Sequence, residues 1–123
     1  MAFDLTLDDV RANDHRAFQL AVRSGNIEIL KWLHTTFGLT AADARADDNY
    51  AFGWAARNGH LEVLKWLQTS FDLTARDARS GGNNAFGWAA AAGHLEILKW
   101  LVSTFNLTAN DARACHTGRL ERL

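Results

Sequence analysis

Acidic and metal-binding side chains recur along the chain at fixed spacing, and this recurrence decides how we interpret them. Asp43 stands two residues before Arg45, and the same Asp-x-Arg pair opens every copy of a longer motif. An active site occurs once, whereas a structural device repeats, so we interpret this pair as structural. His60 and His94 also recur without a second ligand beside them, although a metal site needs several converging ligands. We interpret these histidines as helix-start side chains that form local hydrogen bonds. The sequence therefore predicts no catalytic residues, no bound metal and no cofactor.

The five tryptophans could in principle stack the bases of a single-stranded nucleic acid. Trp32, Trp66 and Trp100 instead fall on a helix face that neighbouring elements should cover, and no basic groove accompanies them. The chain has 13 basic and 14 acidic residues, for a net charge of -1. Such a balance creates no overall field that favours nucleic acid or an anionic membrane. We expect the tryptophans to fill the core, and we predict neither nucleic acid nor membrane as a partner.

The elements that position these residues come in repeated units of 34 residues. The units are residues 5–38, 39–72 and 73–106, followed by a half unit at 107–123. Each opens with Leu-Thr-x-x-Asp-x-Arg, and units two and three are identical at 22 of 34 positions. No linker or change of composition separates them. A fixed period of this length is typical of a solenoid, in which stacked units share one core. We therefore predict one repeat domain over residues 1–123.

Each unit predicts three short helices. The first begins with a capping box, as in Thr40 and Asp43, where side chain and backbone bond reciprocally. The second follows polar loop residues, at about 17–23, 51–57 and 85–91, and ends near a glycine. The third has apolar residues on all but one narrow stripe, which indicates a helix packed against its partner and both neighbouring units. The fold class we predict is an all-α helical solenoid.

Three segments resemble ankyrin repeats, namely residues 20–33, 54–67 and 88–101. The family pattern there is Leu-Ala-Ala-x-x-Gly-His-Leu-Glu-Val-Val-x-x-Leu, and the second segment reads Trp-Ala-Ala-Arg-Asn-Gly-His-Leu-Glu-Val-Leu-Lys-Trp-Leu. The Lys-Trp-Leu variant resembles arrays of large DNA viruses and protists. The chain departs from the family by lacking the Thr-Pro-Leu-His start and the segment that makes a β-hairpin. We predict a short helix in place of that hairpin.

The resemblance implies a non-enzymatic module that binds proteins on the concave side, which the second helices and their loops line. Residues at the core phase stay the same between units, whereas a polar stripe and the loops change. Because tyrosine and arginine dominate binding hot spots, Arg16, Tyr50 and Arg57 are the strongest candidates. The full candidate set is Arg16, Gln19, Arg23, Asp47, Asp48, Tyr50 and Arg57.

Two alternatives remain open at this stage. The chain could be a structural or assembly segment of a longer array, or an engineered scaffold with no natural partner. We expect a monomer. The single cysteine excludes an internal disulfide framework, and the sequence shows neither a signal-peptide pattern nor a membrane-spanning run. The expected location is intracellular, in the cytoplasm or nucleus.

Gly53 and Gly87 are unusual because a glycine inside a helix costs about 1 kcal/mol relative to alanine. Each directly precedes a tryptophan, Trp54 or Trp88. We predict that the small residue lets a neighbouring element approach a bulkier layer of the core.

Overall fold

A computed structural model describes residues 6–114, which form nine α-helices and contain no β-strand. The all-α prediction is confirmed. No helix in this part of the chain is long and apolar enough to cross a membrane. The helices are α1 (Leu7–Ser24), α2 (Ile27–Phe37), α3 (Ala41–Ala44), α4 (Ala46–Arg57), α5 (Leu61–Phe71), α6 (Ala75–Ala78), α7 (Ser80–Ala92), α8 (Leu95–Phe105) and α9 (Ala109–Ala114).

Short helices stand where the family normally has a hairpin, as the sequence predicts. The Thr40 backbone N–H donates to the Asp43 carboxylate at 2.8 Å, and the equivalent bond from Thr74 to Asp77 is 2.9 Å. These bonds satisfy backbone donors that have no partner inside the helix. α3 and α6 have four residues each, because the chain leaves the right-handed helical conformation at Asp47 and Gly81, soon after each of them ends.

A left-handed turn separates the first and second helical segments of each unit. In α4 the φ angles of Asp47, Asp48 and Asn49 lie between 56° and 60°. Positive φ recurs at the matching residues Asn13, His15, Gly81 and Asn83. Asparagine, aspartate, histidine and glycine are the residue types that best tolerate this region. The turn therefore limits which residue types these loops can carry, so the backbone constrains their variation between units.

The core lies between the inner row of helices (the second half of α1, α4 and α7) and the outer row (α2, α5 and α8). α4 packs against both inner neighbours and against α5. Phe18 and Phe52, which occupy the same position in units one and two, are each 1% exposed, whereas Phe86 of unit three is half-buried. The alanines that accompany them are also buried, at Ala21, Ala55 and Ala89. Small and large side chains thus alternate where the two rows meet, which permits close packing.

The tryptophans of the outer row are less buried than predicted. Trp32 is 53% exposed, and Trp66 and Trp100 are half-buried. Each packs edge to face on a phenylalanine of its own unit, with ring centres 5.4 to 5.5 Å apart. His34 of the preceding unit covers Trp66 at 5.7 Å. No described residue does the same for Trp32, so the prediction of a core tryptophan is wrong there.

Candidate protein-binding face

Arginines link each unit to the next through the capping-box aspartates. In the first junction Arg11 donates two hydrogen bonds to Asp43, at 2.7 and 2.9 Å. Arg45 donates to Asp77 at 2.8 and 3.2 Å, and Arg79 to Asp111 at 2.6 and 3.2 Å. We call these three pairs the carboxylate seam. The Asp-x-Arg motif is therefore structural, but its two residues bond to different neighbours instead of to each other.

The aspartates of the seam are stabilised in the charged form. Burial by itself raises the pKa of Asp43, but hydrogen bonds from Arg11, the Thr40 backbone and His15 outweigh it and hold the pKa well below its usual range. The pKa of Asp77 is lowered by the same balance, with Arg45 and the Thr74 backbone as the main donors.

Asp111 behaves in the same way at the third junction. The hydrogen bond from Arg79 is the largest cause, and it lowers the pKa of Asp111 to about 2. A carboxyl group with so low a pKa stays ionised at neutral pH and holds no proton that it could donate there. The chemistry of the seam is therefore cohesion between units.

The repeated histidines bond across units as well, which corrects the prediction of local bonds. His60 Nε2 donates to the Arg23 carbonyl oxygen at 2.8 Å, and His94 Nε2 donates to that of Arg57 at 3.0 Å. A Cβ atom on Gly25 would stand 2.7 Å from the His60 ring. Gly25 also has φ +75°, so both contact and backbone require glycine. Within residues 6–114, no three His, Cys, Asp or Glu side chains converge as a metal site would.

An aromatic and cationic cluster lies on the inner helices of units one to three. The guanidinium carbon of Arg23 is 4.5 Å from the centre of the Trp54 ring, and that of Arg57 is 4.7 Å from it. Arg57 also lies 6.0 Å from the Trp88 ring, and the two indoles are 6.2 Å apart. These distances are within the range of cation–π attraction. We call Arg23, Trp54, Arg57 and Trp88 the Arg–Trp ladder.

The ladder contains hydrogen-bond donors for which no acceptor lies among the described residues. Arg23 and Arg57 are exposed, and neither forms an ion pair with any described residue. The indole Nε1 of Trp54 is shielded from water and has no hydrogen-bond partner among the described residues. A shielded donor without an acceptor is costly. Because that indole N–H is buried, the exposed guanidinium groups of Arg23 and Arg57 are the donors that this surface offers to a ligand with oxygen acceptors.

Three of the predicted binding residues meet at this cluster. Arg23 and Arg57 stack on Trp54, and Tyr50 packs edge to face against the same ring at 5.5 Å. The other four do not join it. Arg16 is exposed and Gln19 half-buried, while Asp47 and Asp48 are exposed on the left-handed turn, beside a cleft of about 30 Å³. Such a cleft has room for a group about the size of a water molecule.

Trp54 and Trp88, which the sequence predicts to lie in the core, contribute to this surface. Both are half-buried, with the exposed Arg57 packed beside them. A usable signal was present, because Arg57 stands three residues after Trp54 and hence on the same helix face. The equivalent arginine of unit one, Arg23, reaches the same indole from the neighbouring helix.

Gly53 lies where α4 closely approaches the inner helix of the next unit. A Cβ atom there would stand 2.8 Å from the ring of Trp88. The bulky neighbour is therefore the tryptophan of the next unit and not the adjacent Trp54. The glycine allows α4 and α7 to approach closely enough for the two indoles of the ladder to meet.

Paired helices stacked in a row, joined by a repeating ionic seam, define a helical repeat protein. The chain belongs to the ankyrin repeat family, whose model for three consecutive ankyrin repeats matches residues 18–111. The family is a non-catalytic fold that generally mediates contacts between proteins. Neither a curated protein nor a solved structure matches the chain.

Proposed function

We propose that the chain binds a protein partner through the concave face of its inner helices. The observation that carries the proposal is the Arg–Trp ladder, where Arg23 and Arg57 lie exposed on one indole and pair with no carboxylate among the described residues. The contact residues that we propose are Arg16, Gln19, Arg23, Asp47, Asp48, Tyr50 and Arg57.

The geometry of the ladder favours binding for an entropic reason. A free arginine side chain loses about 2 kcal/mol of rotamer entropy when it is fixed in one position. Arg23 and Arg57 are already held against Trp54, so a partner has less of this cost to meet. Tyr50 extends the same surface with a rigid ring, and tyrosine, tryptophan and arginine are the types enriched in hot spots.

A second function remains a candidate, in which the chain is a cohesive segment of a repeat array or a scaffold without a natural partner. It is favoured by the fact that Arg23 and Arg57 each reach a tryptophan of the following unit. On this hypothesis the ladder holds units together and contributes nothing to recognition. The two hypotheses differ in what a ladder substitution changes, because one predicts loss of binding and the other predicts only loss of stability.

The experiment is affinity capture with the immobilised chain from candidate lysates. The test variant combines Arg16→Ala, Tyr50→Ala and Arg57→Ala. The control combines Glu62→Ala, Lys65→Ala and Glu96→Ala, which are exposed on the outer helices. We expect the test variant to lose proteins that the wild type and the control retain, with folding of all three checked by circular dichroism. Equal capture by all three would contradict the proposed face.

A further inference from the structure

We infer that the Arg–Trp ladder recognises an acidic segment of a protein, in which aspartate or glutamate side chains pair with Arg23 and Arg57. The inference rests on the proposed function, because it names the chemistry of the partner for that same face. It concerns the end of the face formed by the last turns of α1 and α4.

The arginines of the carboxylate seam show how a guanidinium group of this chain bonds when a carboxylate is near. Arg11, Arg45 and Arg79 each donate two hydrogen bonds to an aspartate, and this satisfies part of the guanidinium fork. Arg23 and Arg57 have no such acceptor among the described residues. Stacking leaves the N–H groups at the guanidinium edge free, and that edge matches a carboxylate bidentately.

The rest of the cluster points to the same kind of ligand. Both guanidinium groups lie against the Trp54 ring, and neither has a carboxylate acceptor among the described residues. The candidate acidic residues of this face, Asp47 and Asp48, stand at the opposite end of the helix. Arg57 stands seven positions after Tyr50, the residue that follows the left-handed turn, and this corresponds to about 10 Å along the helix axis. The positive charge near Arg57 is therefore not neutralised from within α4.

A single-stranded nucleic acid also carries negative charge and stacks on tryptophan, but it needs an accessible ring face for each base. Two guanidinium groups already lie over Trp54, and Arg57 lies beside Trp88 as well. The ladder therefore presents the edges of guanidinium groups to a ligand, and leaves little of the tryptophan ring faces accessible. Carboxylates on a protein segment therefore fit it better than bases do.

The test is titration with a fluorescein-labelled octaglutamate peptide, followed by fluorescence anisotropy at low and at high salt. We expect the wild type to bind, with an affinity that falls as salt increases. Arg23→Gln and Arg57→Gln should each weaken binding about tenfold, as for a hot-spot residue. The matched control is Arg76→Gln, which removes the same charge from an exposed arginine on α6, outside the ladder. It should change the affinity less than about twofold, as expected of charge outside the contact.

Several results would overturn the inference. One is an equal loss with Arg76→Gln, which would mean a diffuse charge effect. Another is tighter binding of octalysine, or of a single-stranded oligothymidine, than of octaglutamate. Circular dichroism shows whether each variant is folded, and Arg57→Lys serves as a second variant that keeps the charge but loses the planar fork. It should bind more weakly than the wild type and more tightly than Arg57→Gln.

The inference and the proposed function can fail separately. If octaglutamate does not bind but the Arg16, Tyr50 and Arg57 variant still loses captured proteins, the acidic partner is wrong and the face is right. If octaglutamate binds through the ladder but capture is unchanged in that variant, the ladder binds acidic peptides, but the captured proteins do not bind through the proposed face.

Discussion

The carboxylate seam and the Arg–Trp ladder use the same side chain in opposite ways. In the seam, every arginine meets a buried aspartate of the next unit, and the pairing is the same at all three described junctions. In the ladder, arginines rest on tryptophan and are otherwise in contact with solvent. The ladder also changes along the chain, since Leu20 and Ala91 take the places of a tryptophan and an arginine. Chemistry that repeats maintains the fold, and chemistry that varies is the better candidate for function.

The two regions also differ in what they should contribute to stability. A seam aspartate closes a capping box and receives a forked charged hydrogen bond, so its loss removes two kinds of interaction at once. A ladder arginine makes an exposed stacking contact, which is a weaker interaction. If the comparison is sound, substitutions in the seam should lower the free energy of unfolding more than substitutions in the ladder do.

Acid should have the largest effect, because it acts on all three junctions together. The pKa values of Asp43, Asp77 and Asp111 are lowered in the folded state, that of Asp111 to about 2. The folded chain therefore binds fewer protons than the unfolded chain in this range, and its stability falls as the pH falls. The loss should begin near the ordinary carboxyl pKa of about 4 and continue toward the folded values. Urea unfolding at a series of pH values measures it, and a urea midpoint that stays constant down to about pH 2.5 would contradict the role of the seam.

Asp77→Ala should have the next largest effect. The substitution removes the acceptor of Arg45 and Asn49 and opens the capping box of α6 in the middle of the chain. The expected loss is about 2–3 kcal/mol in the free energy of unfolding, measured with urea. Glu62→Ala is the matched control, because it also removes one carboxylate but from an exposed pair with Lys65 at 3.7 Å. A similar loss of stability from both substitutions would mean that a seam aspartate stabilises the chain no more than an exposed carboxylate does.

Gly53→Ala tests the place where the ladder meets the core. Alanine favours the helix by about 1 kcal/mol, but its Cβ atom would stand 2.8 Å from the Trp88 ring. We expect the clash to outweigh the helical preference and to lower stability by about 1–2 kcal/mol, seen as a lower melting temperature. A second substitution, Trp88→Leu, should relieve the clash, so the two effects should not add. A higher melting temperature for Gly53→Ala alone would show that close approach of Trp88 is not what requires a glycine at this position.

The sequence predicted the helices and the capping boxes because those depend on local residue types and on a period that repeats several times. Thr40 with Asp43 is an example, since both partners lie within four residues of each other. It did not predict the bond from Arg45 to Asp77, because the two residues are 32 positions apart and their meeting depends on how one unit stacks on the next.

The candidate surface was predicted in part for the same reason. Arg23, Tyr50 and Arg57 were found from their variation between units, and the structure brings all three to one indole. The sequence predicts Trp54 in the core, because hydrophobicity alone does not show which side of a wide apolar helix face remains partly exposed to solvent. The exposure of Trp32 was missed because cover for an outer tryptophan comes from a residue such as His34 of the preceding unit.

Arg57→Gln should have the smallest effect on stability and so gives the sharpest test of the comparison. The substitution removes stacking on Trp54 and Trp88 but leaves every seam contact in place. We expect a loss of about 0.5–1 kcal/mol, measured by urea unfolding beside the wild type. Arg45→Gln is the seam counterpart, since it removes the same charge from an arginine of similar exposure, and it should cost more. If Arg57→Gln proved the more damaging of the two, the ladder would be part of the scaffold, and the surface that binds a partner would have to be sought elsewhere on the inner helices.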